Sequence, residues 1–235
     1  HLFAEGMRLA ECAPGVTVSE AEVFHPQWGR GQALVVAPPA GAGGLVERAS
    51  IVHQPGLPFA LVSAELQNHA PKPQVVDRIE LLQGIVEPAT PAAALKSLGT
   101  GGLLAVDANP GSYAYLAIAN PATPRGAGVV AGWLTHDHAS GVLFSGARTG
   151  QATFAARSDY GRLTLRPKSR QTTETLAIGW FGDVRLGLEA WAEAVAKTSP
   201  RSLPPQPVGY CTWYSRPHGG ASDEACRVGK EGRRG

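Results

Sequence analysis

The chain has 235 residues, of which 43% are hydrophobic and 17% charged, and its formal net charge is +2. This composition is typical of a folded protein and excludes an intrinsically disordered one. The nearly balanced charge argues against a nucleic-acid-binding or membrane-surface protein. No apolar run approaches the roughly 18 residues of a membrane-spanning helix. The three cysteines, Cys12, Cys211 and Cys226, are too scattered for a disulfide framework. With no secretion signal visible at the N-terminus, these features predict a cytoplasmic protein.

Residues 15 to about 180 predict a series of short strands separated by Gly, Pro and Asn turns. No helical pattern interrupts them, which indicates antiparallel sheets packed face to face in a large β-sandwich. In Arg162–Arg166, for instance, Leu163 and Leu165 alternate with polar residues, as on a half-buried strand. The best strand candidates are Gln32–Ala37, Phe59–Leu66, Val75–Leu82, Leu103–Val106, Tyr113–Ala119, Val129–Leu134, Val142–Ser145, Thr153–Ala156 and Arg162–Arg166.

Two motifs in this region invite a binding function. Thr135-His136-Asp137-His138 contains zinc-binding residue types, but it lies between two predicted strands, where alternation would separate the histidines from the carboxylate. A polar hairpin loop is therefore favoured. Gly41-Ala42-Gly43-Gly44 is interpreted as a mobile loop, because no Lys-Ser/Thr pair follows as in a phosphate-binding loop. The sequence predicts no metal, no cofactor and, since Ser145 and Ser222 lack His and Asp partners, no nucleophilic triad.

One helix follows the strands. Asp183 is a suitable N-cap, and Val184, Leu188, Trp191 and Val195 fall on one apolar face. We expect this face to pack against the sandwich rather than to bind a partner. Ser199-Pro200 ends the helix, and the Pro-rich stretch Ser202–Pro207 predicts a stiff linker.

After the linker, Val208–Tyr214 predicts a short strand that ends in two aromatic residues. A Gly-rich loop and Ser222-Asp223-Glu224, a helix start with acidic residues at its positive end, follow it. Strand, loop and helix in this order form a βα unit. In a (β/α)8 barrel the carboxyl end of each strand faces the active site, so Trp213 and Tyr214 could offer an aromatic surface to a sugar ring.

This succession resembles glycoside hydrolase family 36, the α-galactosidase and raffinose-synthase-like glycosidases. The resemblance rests on Trp180-Phe181-Gly182-Asp183 before the helix, on Pro207–Tyr214, and on Gly219–Glu224. The family's first barrel strand typically reads Gly-Trp-Cys-(Ser/Thr)-Trp-Tyr. Here Cys211, Thr212 and Trp213 match that strand, whereas Tyr210 stands where the first Trp usually lies.

The resemblance implies three parts: an N-terminal β-supersandwich (1–182), a linker helix with the Pro-rich linker (183–206), and the first βα unit of a truncated (β/α)8 barrel (207–235). It also implies retaining hydrolysis of α-galactosides by two aspartates on later barrel strands, which this sequence does not contain. We therefore predict no catalytic residue and no activity of the chain alone. Trp213 is the one predicted substrate-binding residue, and a role in the barrel core stays equally open.

Alternatives remain open at this point. The sandwich could be a non-catalytic carbohydrate-binding or oligomerisation module, and homo-oligomers through it are one form of that alternative. The parent could also be a raffinose-synthase-like transglycosylase. Residues from about 225 show no apolar helix face, and a frameshift would produce Arg- and Gly-rich sequence of this kind. We expect neither nucleic acid nor membrane as a partner.

Overall fold

The computed structural model describes residues 7–9, 16–38, 44–86, 91–123 and 125–200. The predicted strand Val208–Tyr214 and most of the glycine loop, residues 41–43, lie outside this part. The strands, in chain order, are β1 (Met7–Leu9), β2 (Thr17–His25), β3 (Gly29–Ala37), β4 (Leu45–His53), β5 (Ala60–Asn68), β6 (Gln74–Val86), β7 (Lys96–Gly99), β8 (Gly102–Ala105), β9 (Tyr115–Ala119), β10 (Gly128–Trp133), β11 (Ser140–Arg148), β12 (Gln151–Leu165), β13 (Arg170–Thr172) and β14 (Leu176–Phe181). Short 3₁₀ turns cover Ala92–Ala94 and Val106–Ala108, and the helix α1 spans Val184–Thr198.

The strands form two sheets, as predicted. The small sheet has four strands in the order β1-β6-β12-β11. The large sheet has ten, in the order β2-β3-β4-β5-β14-β10-β9-β7-β8, with β13 paired beside β14 along β5. Every strand pair is antiparallel. The prediction of a mainly antiparallel β-sandwich followed by one helix is confirmed.

The main core lies between the two sheets. Alternate residues of β10 and β14 point toward the small sheet, among them Ala131, Trp133 and Ile178, each 1% exposed or less. From the small sheet, Leu143 and Phe154 fill the same space. Because every second side chain of a strand lies on the same face, these residues form one continuous apolar layer.

The opposite face of the large sheet carries α1. Val130, Leu134 and Ala177, which alternate with the core residues, contact the apolar side of the helix, including Leu188 and Trp191. Asp183 caps the helix by accepting a hydrogen bond from the Arg185 backbone N–H at 3.0 Å. The prediction that the apolar stripe packs on the sandwich is confirmed. Among the described residues, no helix has the length and apolar character needed to cross a membrane.

Two features differ from the predicted strands. Thr153–Ala156 and Arg162–Arg166 were predicted as separate strands, but both belong to one strand, β12, which runs for 15 residues along β6 and ends at Leu165. A register shift lies between Asp159 and Leu163, where Arg162 has a φ of 81°. A bulge of this kind bends a strand without ending it, so the glycine and polar residues there did not mark a turn. The strands absent from the predicted set are β1, β2, β4, β7, β13 and β14.

Candidate functional site

The residue predicted to bind substrate, Trp213, lies outside the described residues, and so does Ser222. The role of Trp213 therefore stays a prediction. Ser145 is described: it lies in β11, and its hydroxyl donates a hydrogen bond to the Val106 carbonyl at 2.8 Å. This bond ties the small sheet to the 3₁₀ turn after β8, which is a structural role.

The segment Thr135–His138 is a loop, but not a hairpin loop. It follows β10 of the large sheet and precedes β11 of the small sheet, so it carries the chain from one sheet to the other. The side chains of His136, Asp137 and His138 are all exposed. The hairpin prediction was wrong because two consecutive strands were assumed to pair, whereas β10 pairs with β9 and β14.

The backbone of this loop wraps around the carboxylate of Glu174, which is only 1% exposed. One carboxylate oxygen accepts hydrogen bonds from the backbone N–H groups of His138, at 2.5 Å, and Ala139, at 2.9 Å. The other accepts from the Thr135 hydroxyl at 2.5 Å. Thr135 Oγ1 in turn accepts from the Thr175 backbone N–H at 2.9 Å. These contacts form a closed network, which we call the Glu174 nest.

The charge of Glu174 is stabilised by these donors. Burial by itself would raise the pKa of Glu174, but the hydrogen bonds from the Thr135 hydroxyl and the loop backbone outweigh it and hold the pKa below its ordinary value. Nearby, burial together with the charges of Glu174 and Glu47 raises the pKa of Tyr160 to about 12. Glu174 is therefore a buried anion that organises a loop.

This arrangement does not suit Glu174 for catalysis. A glycosidase nucleophile must reach a sugar, and a retaining enzyme needs a second carboxyl group about 5 Å away. Glu174 is inaccessible, and both of its oxygens accept hydrogen bonds from the protein. Sequence reasoning selected the loop but missed this residue. The available signal was an acid flanked by Thr173 and Thr175, directly before the apolar run Leu176–Phe181.

A second feature is a surface cavity of about 350 Å³ between α1 and strands β7 to β9, which we call the cationic groove. Apolar side chains form most of its lining, and three cations, Lys96, Arg125 and Arg185, contribute to it. The groove exists because β7 and β8 extend the large sheet beyond the strands that α1 contacts. The described residues that line it are Lys96, Leu98, Leu103, Ala117, Ala119, Pro121, Thr123, Arg125, Gly126, Val184, Arg185 and Leu188.

The composition of the groove limits what it can bind. Neutral sugars are held by flat aromatic rings together with side chains that accept hydrogen bonds from hydroxyl groups. Among the described residues that line the cationic groove there is no aromatic residue and no carboxylate. The groove is therefore unsuited to a galactoside, and the part of the chain that the structure describes presents no sugar platform at this cavity.

Comparison with known proteins gives information on the fold. No protein-family model matches the sequence, and no curated protein matches it. Solved structures do match. The α-galactosidase AgaB of glycoside hydrolase family 36 from Geobacillus stearothermophilus superposes with a TM-score of 0.52 at 10% identity, over 76% of this chain and 30% of that one. The chain shares its fold with family 36 α-galactosidases.

Two further structures show the same relation. A variant of AgaA from the same organism, in complex with stachyose, has a TM-score of 0.54 at 12% identity, over 82% of this chain and 31% of that one. The galactosidase domain of the α-galactosidase–sucrose kinase AgaSK has a TM-score of 0.51 at 10% identity, over 80% and 28%. The chain thus spans about 30% of the length of these relatives. The β-sandwich followed by a helix, as expected from the resemblance to family 36, is confirmed, and the barrel unit over 207–235 stays a prediction.

Proposed function

We propose that this chain is the N-terminal β-sandwich part of an α-galactosidase-like retaining glycosidase. In this proposal, residues 1–182 form the supersandwich, 183–206 the linker, and 207–235 the first βα unit of the catalytic barrel. The observation that carries the proposal is the shared fold with family 36 α-galactosidases across 76–82% of the chain. The motif Pro207–Tyr214 supports it independently, because it follows the helix where the family's first barrel strand begins.

The proposed substrate class rests on the same solved structures that share the fold. Structures that share this fold are complexes of AgaA with stachyose and raffinose, which are galactoside oligosaccharides. We propose that the whole enzyme acts on α-galactosides in the cytoplasm and that Trp213 lines its sugar pocket. In such an enzyme two carboxyl groups about 5 Å apart carry out the reaction. Glu174 is held in its nest, so the proposal assigns both groups to the barrel and none to the sandwich.

The gene offers a direct test. The DNA that follows codon 224 should encode, in one of its three frames, further βα units with an aspartate at the end of two later strands. The chain of 235 residues should show no turnover of 4-nitrophenyl α-galactoside, and the same chain joined to the downstream units should hydrolyse it. Turnover by the 235-residue chain, or an unrelated domain in every downstream frame, would contradict the proposal.

The second candidate is a carbohydrate-binding or oligomerisation module, which the sandwich architecture alone would also suit. Titration calorimetry with raffinose and light scattering separate the two candidates. A 235-residue chain that binds raffinose as a monomer, and loses no affinity when Trp213 is replaced by Ala, would favour a binding site on the sandwich itself. Replacement of Tyr113, an aromatic residue that is 62% exposed, provides the matched control.

A further inference from the structure

The cationic groove is built from three separate parts of the chain. Lys96 and Leu98 lie on β7, Arg125 lies on the connection between β9 and β10, and Val184, Arg185 and Leu188 lie in the first turns of α1. The floor is the row of side chains on the helix-facing side of the sheet, where Leu98 is in register with Ala117. A cavity of about 350 Å³ is at the lower end of the range for small-molecule sites.

The wall that holds Arg125 is fixed by hydrogen bonds. The Asn120 side chain accepts from the Ala122 backbone N–H at 3.0 Å, and the Thr123 hydroxyl accepts from the Gly126 backbone N–H at 3.1 Å. The Gly126 carbonyl then accepts from the Val184 backbone N–H at 3.3 Å, which ties this wall to the start of α1. Hydrogen bonds that hold Thr123, Gly126 and Val184 before binding reduce the conformational entropy lost when a ligand enters.

Among the described residues around the groove, positive side chains outnumber negative ones. Arg185 is paired with Asp183 at 2.7 Å, and Glu189 also lies close enough to influence Arg185. Asp183 also experiences the charge of Arg125, but its hydrogen bonds go to Arg185. Lys96 and Arg125 therefore give the groove a net positive charge beside an apolar floor. Such a site favours a ligand with an anionic head and an apolar body.

We propose that the cationic groove binds a small aliphatic monocarboxylate. The carboxylate lies at the rim with Arg125 and Lys96, and the alkyl chain covers Leu98, Ala117 and Leu188. The described lining of the groove includes neither the aromatic ring that a neutral sugar needs nor a carboxylate that would bind a cation. This inference is independent of the proposed glycosidase function, because it concerns the sandwich and the helix alone.

The probes are hexanoate and hexan-1-ol, which share the alkyl chain and differ in charge. We expect hexanoate to shift the amide NMR signals of Leu98, Gly126 and Leu188 in a saturable manner, and to bind at least about fivefold more tightly than hexan-1-ol, because charge-assisted hydrogen bonds are lost with the alcohol. Equal affinity for the two probes, or no saturable shift at these amides, would overturn the proposal.

Variants locate the site. The double substitution Lys96→Met and Arg125→Gln should weaken hexanoate binding about tenfold while leaving hexan-1-ol binding nearly unchanged. The control is Arg148→Gln, which removes an exposed arginine at the end of β11 in the small sheet. Circular dichroism verifies that each variant is folded. Parental affinity for hexanoate in the double variant, or the same loss in the Arg148→Gln control, would contradict the assignment.

Discussion

The two faces of the large sheet are covered in different ways, one by the small sheet and the other by the helix α1. The face toward the small sheet is filled by large side chains with almost no exposure, such as Trp133 and Ile178. The face toward α1 is closed by a single helix whose large contact residues, Leu188 and Trp191 among them, are only partly buried. A sheet packed on a sheet covers a broad area, whereas one helix covers a stripe about 10 Å wide.

The difference shows where stability and binding capacity reside. The inter-sheet layer determines the fold, because it buries most of the large apolar side chains in the described ranges. The helix side leaves β7 and β8 uncovered and so creates the cationic groove. The following substitutions test this contrast between the faces, from the largest expected effect to the smallest.

Among these substitutions, Phe154→Ala should cause the largest loss of stability. Phe154 is 2% exposed in the inter-sheet core, and truncation of a buried Phe to Ala costs about 3–5 kcal/mol in the free energy of unfolding. Phe24→Ala is the matched control, because Phe24 is 73% exposed on edge strand β2 and should change stability by less than about 0.5 kcal/mol. Urea unfolding followed by fluorescence measures both, and similar losses would mean that the core is wrongly assigned.

Glu174→Gln should be the next most destabilising, by about 2–4 kcal/mol at neutral pH. Glutamine offers one accepting oxygen where the carboxylate offers two, so its NH₂ group would replace the acceptor on one side of the Glu174 nest, and the charge that strengthens the other hydrogen bonds would be lost. This loop carries the chain from the large sheet to the small sheet, so its loss should loosen the inter-sheet layer.

The same residue predicts a pH dependence. Since the folded pKa of Glu174 lies below its ordinary value of 4.5, its contribution to stability is present above that pH and decreases as the pH falls through the folded pKa. The unfolding free energy of the parent should therefore fall more steeply on acidification than that of Glu174→Gln. Parallel pH profiles for the two proteins would show that the nest does not hold a charged carboxylate.

Two glycines compare the faces directly. A Cβ on Gly141 would lie 2.3 Å from the Trp133 ring between the sheets, and a Cβ on Gly132 would lie 2.2 Å from the Trp191 ring under the helix. Trp133 is 1% exposed and cannot move aside, whereas Trp191 is only half-buried. We expect Gly141→Ala to cost about 2–3 kcal/mol and Gly132→Ala about 1 kcal/mol.

Gly182→Ala serves as the control for this pair, because a Cβ there meets no atom within 4 Å. Thermal unfolding of the three variants gives the ranking. A larger loss for Gly132→Ala than for Gly141→Ala would indicate that the helix side is the more rigid face.

The smallest contrast is within α1. Leu188→Ala should cost about 1–2 kcal/mol, because Leu188 is partly buried against the sheet. Leu186, two residues earlier, is 60% exposed, so Leu186→Ala should be close to neutral. Hydrogen exchange of the α1 amides would show the difference locally. Equal effects of the two substitutions would contradict the docking of α1 on the sheet.

Local sequence patterns predicted many of the strands and the helix, but not which strands pair with each other. Strands flanked by Pro, Gly and Asn turns, such as Val129–Leu134, were recognised, and the apolar stripe of α1 predicted its contact with the sheet. Strand β14, Leu176–Phe181, was missed because it is apolar at nearly every position and shows no alternation of apolar and polar residues. It has this composition because both faces of the strand are covered. The bulge in β12 looked like a turn because its glycine and polar residues match turn chemistry.

The candidate sites depend on contacts that are distant in sequence. The Glu174 nest joins residues 35 to 39 positions apart. The cationic groove joins β7 to α1, which are far apart in the chain and come together only through the strand order of the large sheet. No local pattern carries that order. The residue types of Thr135–His138 suggested that its imidazoles could bind a metal. In the structure, the groups of this loop that make the contacts to Glu174 are mainly its backbone N–H donors.

The Glu174 nest has a consequence for which sequences this fold can accept. The loop is held through its main chain, and its His136, Asp137 and His138 side chains point to solvent. Variation at these side chains should therefore be tolerated, as long as Glu174 and Thr135 are kept. Proline at 138 or 139 should be rejected, because it has no N–H to donate. The side chains of a segment can thus be free to vary while its backbone conformation is strictly constrained. Here the constraint comes from a single glutamate some 35 residues away in the sequence.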